Sequence, residues 1–250
     1  MNPLLSFTEQ ICVIGVRSVG YSTGVCGFLG RVNIVVNGAA IFEPPSSSFW
    51  HPPDSSIAKD PIDSNPGQYE VFSVNTVAPI RLAQIAIDYW LRNKDVDGNL
   101  LWLVSMGAYI HTMLSPLYFS SKAAVLSMVK SLGPMKESFG IRNSAVCPGA
   151  VWTPIFNPEY ARGRLREQDV SLSAEECASL IMQVLQEPQY GDGSVVEVQK
   201  IGAKEDPQVN VRDVPLEALY PTVSALDQVK AALAEEEELV KTLSTSGMHK

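Results

Sequence analysis

The sequence predicts an α/β fold, a doubly wound parallel sheet with helices on both faces. Three observations carry this. Residues 32–36 (Val-Asn-Ile-Val-Val) and 100–104 (Leu-Leu-Trp-Leu-Val) are apolar almost throughout, the pattern of strands buried on both faces. Stretches with helical spacing separate them, and strands that alternate with helices form parallel sheets through crossovers. Small or polar residues, Asn37, Ser105 and Pro148-Gly149, directly follow three strand-like runs, at the edge where open α/β sheets bind ligands.

The chain has 250 residues, 46% of them apolar and 18% charged, which fits a single globular domain over 1–250. A net charge of −8 without a basic cluster argues against nucleic-acid binding. No apolar run approaches the length of a membrane span. The N-terminus lacks a basic region and Glu9 interrupts its apolar stretch, so no signal peptide is expected. Cys12, Cys26, Cys147 and Cys177 are scattered, as are His51, His111 and His249, so neither a disulfide framework nor a metal site is expected. A soluble cytoplasmic protein follows as the expectation.

Residues 1–30 form an atypical N-terminus. A short strand at 11–16 precedes a run containing Gly15, Gly20, Gly24 and Gly27, which reads as a glycine-rich flexible segment. The strand at 32–36 leads into Asn37-Gly-Ala-Ala40, small enough for a backbone or flat ligand to approach closely. Residues 43–67 hold six prolines and six serines. A loop this long is functional or disordered, and a substrate-side flap and a disordered insertion both stay open.

Helical spacing runs from Gln68 to Arg92, with Pro79 starting or bending the helix. A strand at 100–104 ends at Ser105. Ser115-Pro116 opens the next helix, the serine as N-cap, and Gly133-Pro134 and Gly140 close it. A strand at 141–147 ends in Pro148-Gly149. Residues 150–172, with Trp152, Phe156 and Tyr160, suit a lid. Ser173-Ala-Glu-Glu176 is a capping box that opens a helix reaching Gln186. A last strand covers 194–198. Residues 203–250 form a C-terminal extension whose helix at 224–243 carries an acidic face.

Tyr118 and Lys122 lie four residues apart and so share a helix face. A cation beside a phenol favours phenolate and lowers its pKa toward neutrality. Such a pair arises by chance about 0.3 times in a chain of this composition, so its neighbours decide its meaning.

Those neighbours resemble the classical short-chain dehydrogenase/reductase family. The resemblance covers about residues 30–202 and rests on Asn37-Gly-Ala-Ala40, Asn75, Ser105, Tyr118-x-x-x-Lys122 and Pro148-Gly-Ala-Val-Trp-Thr153, all in the family's order. It implies a Rossmann-like, NAD(P)-dependent oxidoreductase that interconverts a small-molecule alcohol and ketone. Tyr118 would be the general acid/base, Lys122 would hold the nicotinamide ribose and depress the tyrosine pKa, and Ser105 would bind the substrate oxygen. Asn75 would position a water in a proton relay. Asn37, Ala39, Tyr118, Lys122, Pro148, Gly149, Val151 and Thr153 would contact the cofactor, NAD or NADP. Family members form dimers or tetramers, so a homo-oligomer is implied.

Two departures stand out. The family's Asn-Asn-Ala-Gly is here Asn37-Gly38-Ala39-Ala40. The family also places a glycine-rich loop and two further strands before the Asn37 strand, and each βαβ unit takes about 30 residues or more. Only 31 residues precede Val32, so the expectation is a fold truncated at its N-terminus, lacking most of the adenosine-binding half. In one arrangement 11–16 supplies the first strand and crosses to the Asn37 strand through about 15 residues. The alternative function is a non-catalytic relic that serves as a binding or oligomerisation module.

Overall fold

The computed structural model describes residues 11–13, 31–63, 67–215 and 226–248, with side chains for 31–63, 67–215 and 234–248. Six strands form one sheet: β1 (Ile11–Val13), β2 (Ile34–Asn37), β3 (Asn99–Leu103), β4 (Arg142–Pro148), β5 (Asp192–Ala203) and β6 (Asp206–Asp213). They lie side by side in chain order, β1 to β5 parallel and β6 antiparallel to β5. Of the strand expected at 11–16, Ile11–Val13 pairs with β2. The rest of it and the glycine-rich run at 15–27 lie outside the described residues.

The long helical stretch divides into α1 (Glu70–Phe72), a π-helical turn at Ser73–Val77 and α2 (Ala78–Arg92). Pro79 is the cause of the division. It has no N–H to give the Asn75 carbonyl, and its ring pushes that carbonyl away. The turn widens, so that the Ala78 N–H reaches back five residues to Ser73. Next come α3 (Pro116–Ser131), α4 (Met135–Phe139), α5 (Ala174–Gln186) and α6 (Leu226–Ser246). Gly140 ends α4 in the left-handed conformation (φ 71°) that glycine adopts without strain. The capping box of α5 is complete, with Ser173 and Glu176 bonding reciprocally.

Helices cover both sheet faces, as a doubly wound fold requires. On one face Ala83, Trp90, Val125 and Val129 of α2 and α3 pack on Val35, Leu100, Trp102 and Ala145. On the other, Leu180 and Val184 of α5 pack on Val36, Leu101, Val146 and Val196. Because β3, β4 and β5 step in one direction, the crossovers through α3 and α5 on opposite faces have opposite hands. One of them therefore departs from the right-handed rule for parallel connections. One buried polar pair links the sheet to α3. Trp102 donates to Asn143 Oδ1 at 2.7 Å, and Asn143 donates to the Val129 carbonyl at 2.7 Å.

The expectation for the C-terminal part of the sheet needs correction. The last strand is longer than 194–198, and Asp206–Asp213, assigned from sequence to a C-terminal extension, adds a sixth strand. Gly202, at φ 99°, permits the turn between them. The sequence of β6, Asp-Pro-Gln-Val-Asn-Val-Arg-Asp, reads as loop because it lies on the sheet edge and is almost wholly exposed, where Pro and charge discourage further pairing. Of the loop at 43–67, for which the sequence leaves a flap and a disordered insertion both open, the described part beginning at Glu43 is anchored to its neighbours. Glu43, Ser47 and Ser48 are buried, and Ser47 accepts from the Glu70 N–H at 2.8 Å and donates to Asp60 at 2.9 Å. Among the described residues no helix is long and apolar enough to cross a membrane.

Candidate active site

Parallel strands deliver their carboxyl ends to one edge, which brings Asn37, Ser105 and Pro148-Gly149 together. Helix α3 adds Tyr118 and Lys122. Along α3 the stripe Tyr118, Lys122, Val125 and Val129 is buried, so the sheet-facing stripe carries both functional groups at its N-terminal end.

Ser105 sits two residues beyond β3. Its Oγ accepts the Gly107 N–H at 3.0 Å, which fixes the rotamer, and the hydroxyl stands close enough to the Tyr118 phenol to favour its ionised form. A Cβ on Gly107 would lie 3.3 Å from that Oγ, so the residue beside the serine has to be small. Lys122 Nζ lies 5.9 Å from the Tyr118 ring centroid and donates to the Leu103 carbonyl at 3.2 Å. Burial lowers the Lys122 ammonium to about 8. Below it, burial pushes the Cys147 thiol up to about 12, against the opposing bond from the Ser105 backbone; that thiol is a neutral wall.

The tyrosine departs from the sequence expectation. Burial raises its pKa above the ordinary value, against the opposing bond from Ser105. Desolvation of the phenolate is the larger cause, and the Lys122 ammonium is engaged with the Leu103 carbonyl.

The two asparagines hold backbone. Asn75 is 2% exposed and clasps Ile41 twice, accepting from its N–H and donating to its carbonyl, each at 2.9 Å. It also donates to Ser121 of α3 at 3.2 Å. Asn37 donates to the Pro79 carbonyl at 3.2 Å. Both amides therefore lock the segment 37–41 against the helices. Around Gly38 there is open space where a Cβ would stand, and Ala39 is half-buried. Gly149 donates to Val198 at 2.7 Å, with Met106 Sδ 3.3 Å from the position of a Cβ. Val151 pairs with Leu172, and Thr153 precedes a single 3-10 turn at Pro154–Phe156.

The cap of α3 is a further correction. The Ser115 side chain makes no cap bond, and its buried hydroxyl has no partner. Glu43 takes its place from 74 residues away. Oε2 accepts the Leu117 N–H at 2.8 Å and the Tyr118 N–H at 3.0 Å. Oε1 accepts the Ser48 hydroxyl at 2.8 Å and the Phe49 N–H at 3.1 Å. A carboxylate at a helix N-terminus is also stabilised by the positive end of the helix dipole. One buried side chain thus ties the loop to the turn that carries Tyr118. Only the isolated acid among the prolines and serines signalled it, because long-range caps leave no local motif.

Aromatic rings cover the phenol. The Phe42 ring lies 4.6 Å from that of Tyr118, Phe156 lies 6.3 Å from Phe42, and the Arg164 guanidinium lies 5.2 Å over Phe42. Among the described residues no cluster of side chains could hold a metal ion.

Residues 21–162 match the sequence model of the short chain dehydrogenases. The chain is 29% identical over 161 residues to the 1-deoxy-11-beta-hydroxypentalenate dehydrogenase of Streptomyces exfoliatus, covering 63% of this chain and 52% of that protein. It is 25% identical over 127 residues to the L-fucose dehydrogenase of Bos taurus, covering 51% and 42%. The chain thus spans about half the length of these relatives. Among solved structures, 3-oxoacyl-[acyl-carrier protein] reductase from Brucella melitensis, in complex with NAD, superposes with a TM-score of 0.56 at 16% identity, covering 70% of this chain and 69% of that one. Acetoin dehydrogenase from Enterobacter cloacae gives 0.54 at 19%, covering 71% and 66%. At these identities the structures establish the fold alone.

Proposed function

The chain belongs to the short-chain dehydrogenase family, and from that premise we propose that it interconverts an alcohol and a ketone with NAD or NADP. One arrangement supports this reading above all. The Tyr118 phenol is buried beside Ser105, and the Lys122 ammonium lies 5.9 Å from the centre of the same ring at the carboxyl edge of the sheet.

A carbonyl that accepts a hydride at carbon develops negative charge on oxygen, and a proton donor poised there lowers the barrier. Tyr118 is that donor. Burial keeps its phenol protonated at neutral pH, the state needed for reduction, and Ser105 holds the substrate oxygen beside it. In the reverse direction Tyr118 accepts the proton from the alcohol.

The residues at the nicotinamide end fit the cofactor. The Lys122 ammonium has three N–H groups and gives one bond to Leu103, which leaves donors for ribose hydroxyls. Open space at Gly38 admits a flat group beside Asn37 and Ala39. Pro148, Gly149, Val151 and Thr153 would line the nicotinamide. When bound, the nicotinamide supplies or takes the hydride, and the protein supplies orientation and electrostatics. Asn75 serves the relay by position. Its amide is committed to Ile41 and Ser121, so its main-chain carbonyl, which Pro79 cannot engage, is the group left to hold a water. A homo-oligomer would form through the helical segments bearing Asn75 and Tyr118, where Val77 is exposed. Cofactor binding and turnover, measured on the chain and its Tyr118→Phe variant, test the reading.

A further inference from the structure

Arg164 stands apart from the other arginines whose side chains are described. Arg31, Arg92, Arg166 and Arg212 pair with carboxylates, while Arg81, Arg142 and Arg162 bond side-chain or backbone oxygens. The Arg164 guanidinium is exposed and its contact is the face of Phe42 at 5.2 Å. That ring is itself 4.6 Å from the ring of Tyr118. A free cation therefore stands one aromatic ring away from the phenol.

Its position is built rather than incidental. Ala161 and Leu165, on either side in sequence, are buried, and the Arg164 N–H bonds the Ala161 carbonyl at 2.9 Å. Both ends of the segment are pinned, since Leu172 donates to Ala150 and Trp152 donates to Leu172, each at 2.9 Å. Stacking on a ring holds a guanidinium plane while leaving its N–H edge free for a planar anion. Phe42 and Phe156 supply an apolar wall between that edge and the phenol.

We propose that Arg164 with Phe42 and Phe156 forms an acid-recognising subsite, so that the substrate is an alcohol or ketone on an apolar, ring-sized skeleton that also bears a carboxylate. The assignment rests on Tyr118 being the proton-exchanging group. The guanidinium takes the carboxylate through two N–H bonds, the rings cover the skeleton, and the reacting oxygen reaches Tyr118 and Ser105.

The test compares binding of 4-oxocyclohexanecarboxylate with that of its methyl ester by calorimetry, in the presence of NADP and of NAD. The carboxylate is expected to bind about five- to tenfold more tightly, the scale of an exposed but bidentate ion pair. The preference is expected to vanish in Arg164→Gln, to fall sharply in Arg164→Lys, which keeps the charge but not the stacked two-pronged donor, and to shrink at about 0.5 M salt. Equal binding of acid and ester, failure of both to bind, or a preference untouched by Arg164→Gln overturns the subsite. Turnover of the same acid is followed separately by nicotinamide absorbance. A preserved preference without turnover upholds the subsite and counts against the proton-exchange reading.

Discussion

Replacing Glu43 is expected to loosen the helix that carries Tyr118. The carboxylate accepts four bonds of 2.8–3.1 Å, two from the first turn of α3 and two from Ser48 and Phe49, and the residue is 5% exposed. Loss of a helix cap costs about 0.5–2 kcal/mol, and an orphaned buried donor costs about 1–3 kcal/mol. Because the desolvation cost of the carboxylate is recovered, the Glu43→Ala loss is about 2–4 kcal/mol, not the sum of four bonds. For a chain of this size that lowers Tm by roughly 5–15 °C. Glu43→Gln keeps one acceptor oxygen but turns an NH2 toward N–H donors, so it recovers only part of the loss. Urea unfolding followed by tryptophan fluorescence measures the difference, and hydrogen exchange at the Leu117 and Tyr118 amides reports its location. Ser115→Ala is the contrast: a hydroxyl with no partner contributes little, and its removal is expected to cost below about 0.5 kcal/mol. A Glu43→Ala loss smaller than that of Ser115→Ala would refute the assignment of the cap.

Lys122 and Glu197 give pH signatures of opposite origin. Lys122 is lowered to about 8 by burial, so between that pH and its ordinary value the unfolded chain binds the proton that the folded chain has released, and stability rises with pH. Relative to Lys122→Met, the wild type is expected to gain about 1.4 kcal/mol between pH 7 and pH 9; a flat difference would contradict the burial of its charge. Glu197 is fully buried, and burial alone would raise its carboxyl, yet the bonds from Arg212 and Tyr109 outweigh burial and hold it below the ordinary range. Its contribution is therefore present above about pH 4.5 and fades as pH falls through the lowered value. Glu197→Gln is expected to cost about 1–3 kcal/mol at pH 7, moderated by the exposed side of Arg212, and the gap to wild type should narrow in acid denaturation.

The parts of the fold visible in the sequence were those written locally. Strand β3 is an apolar run, α5 starts with a capping box, and Gly140 marks a helix end, so each could be read within a few residues. The order of Asn37, Ser105, Tyr118 and Lys122 was equally legible, because parallel strands send their carboxyl ends to one edge. What stayed hidden depends on distance. The Glu43 cap joins residues 74 apart, and the Asn75 clasp of Ile41 joins residues 34 apart. Strand β6 is held by pairing with β5 rather than by its own hydrophobicity. The direction of the tyrosine shift is hidden from the sequence for the same reason. Spacing along a helix puts a lysine near a phenol, but the burial of both groups and the turn of Nζ toward Leu103 decide what the charge does.

The central claim is that Ser105, Tyr118 and Lys122 exchange a proton beside a bound nicotinamide. The most direct measurement is fluorescence titration of the chain with NADH and with NADPH, paired with turnover of a ketone. The account predicts saturable binding of at least one dinucleotide below about 1 mM, retained in Tyr118→Phe while turnover disappears. Absence of binding at millimolar concentrations of both, or turnover that survives Tyr118→Phe, would contradict it.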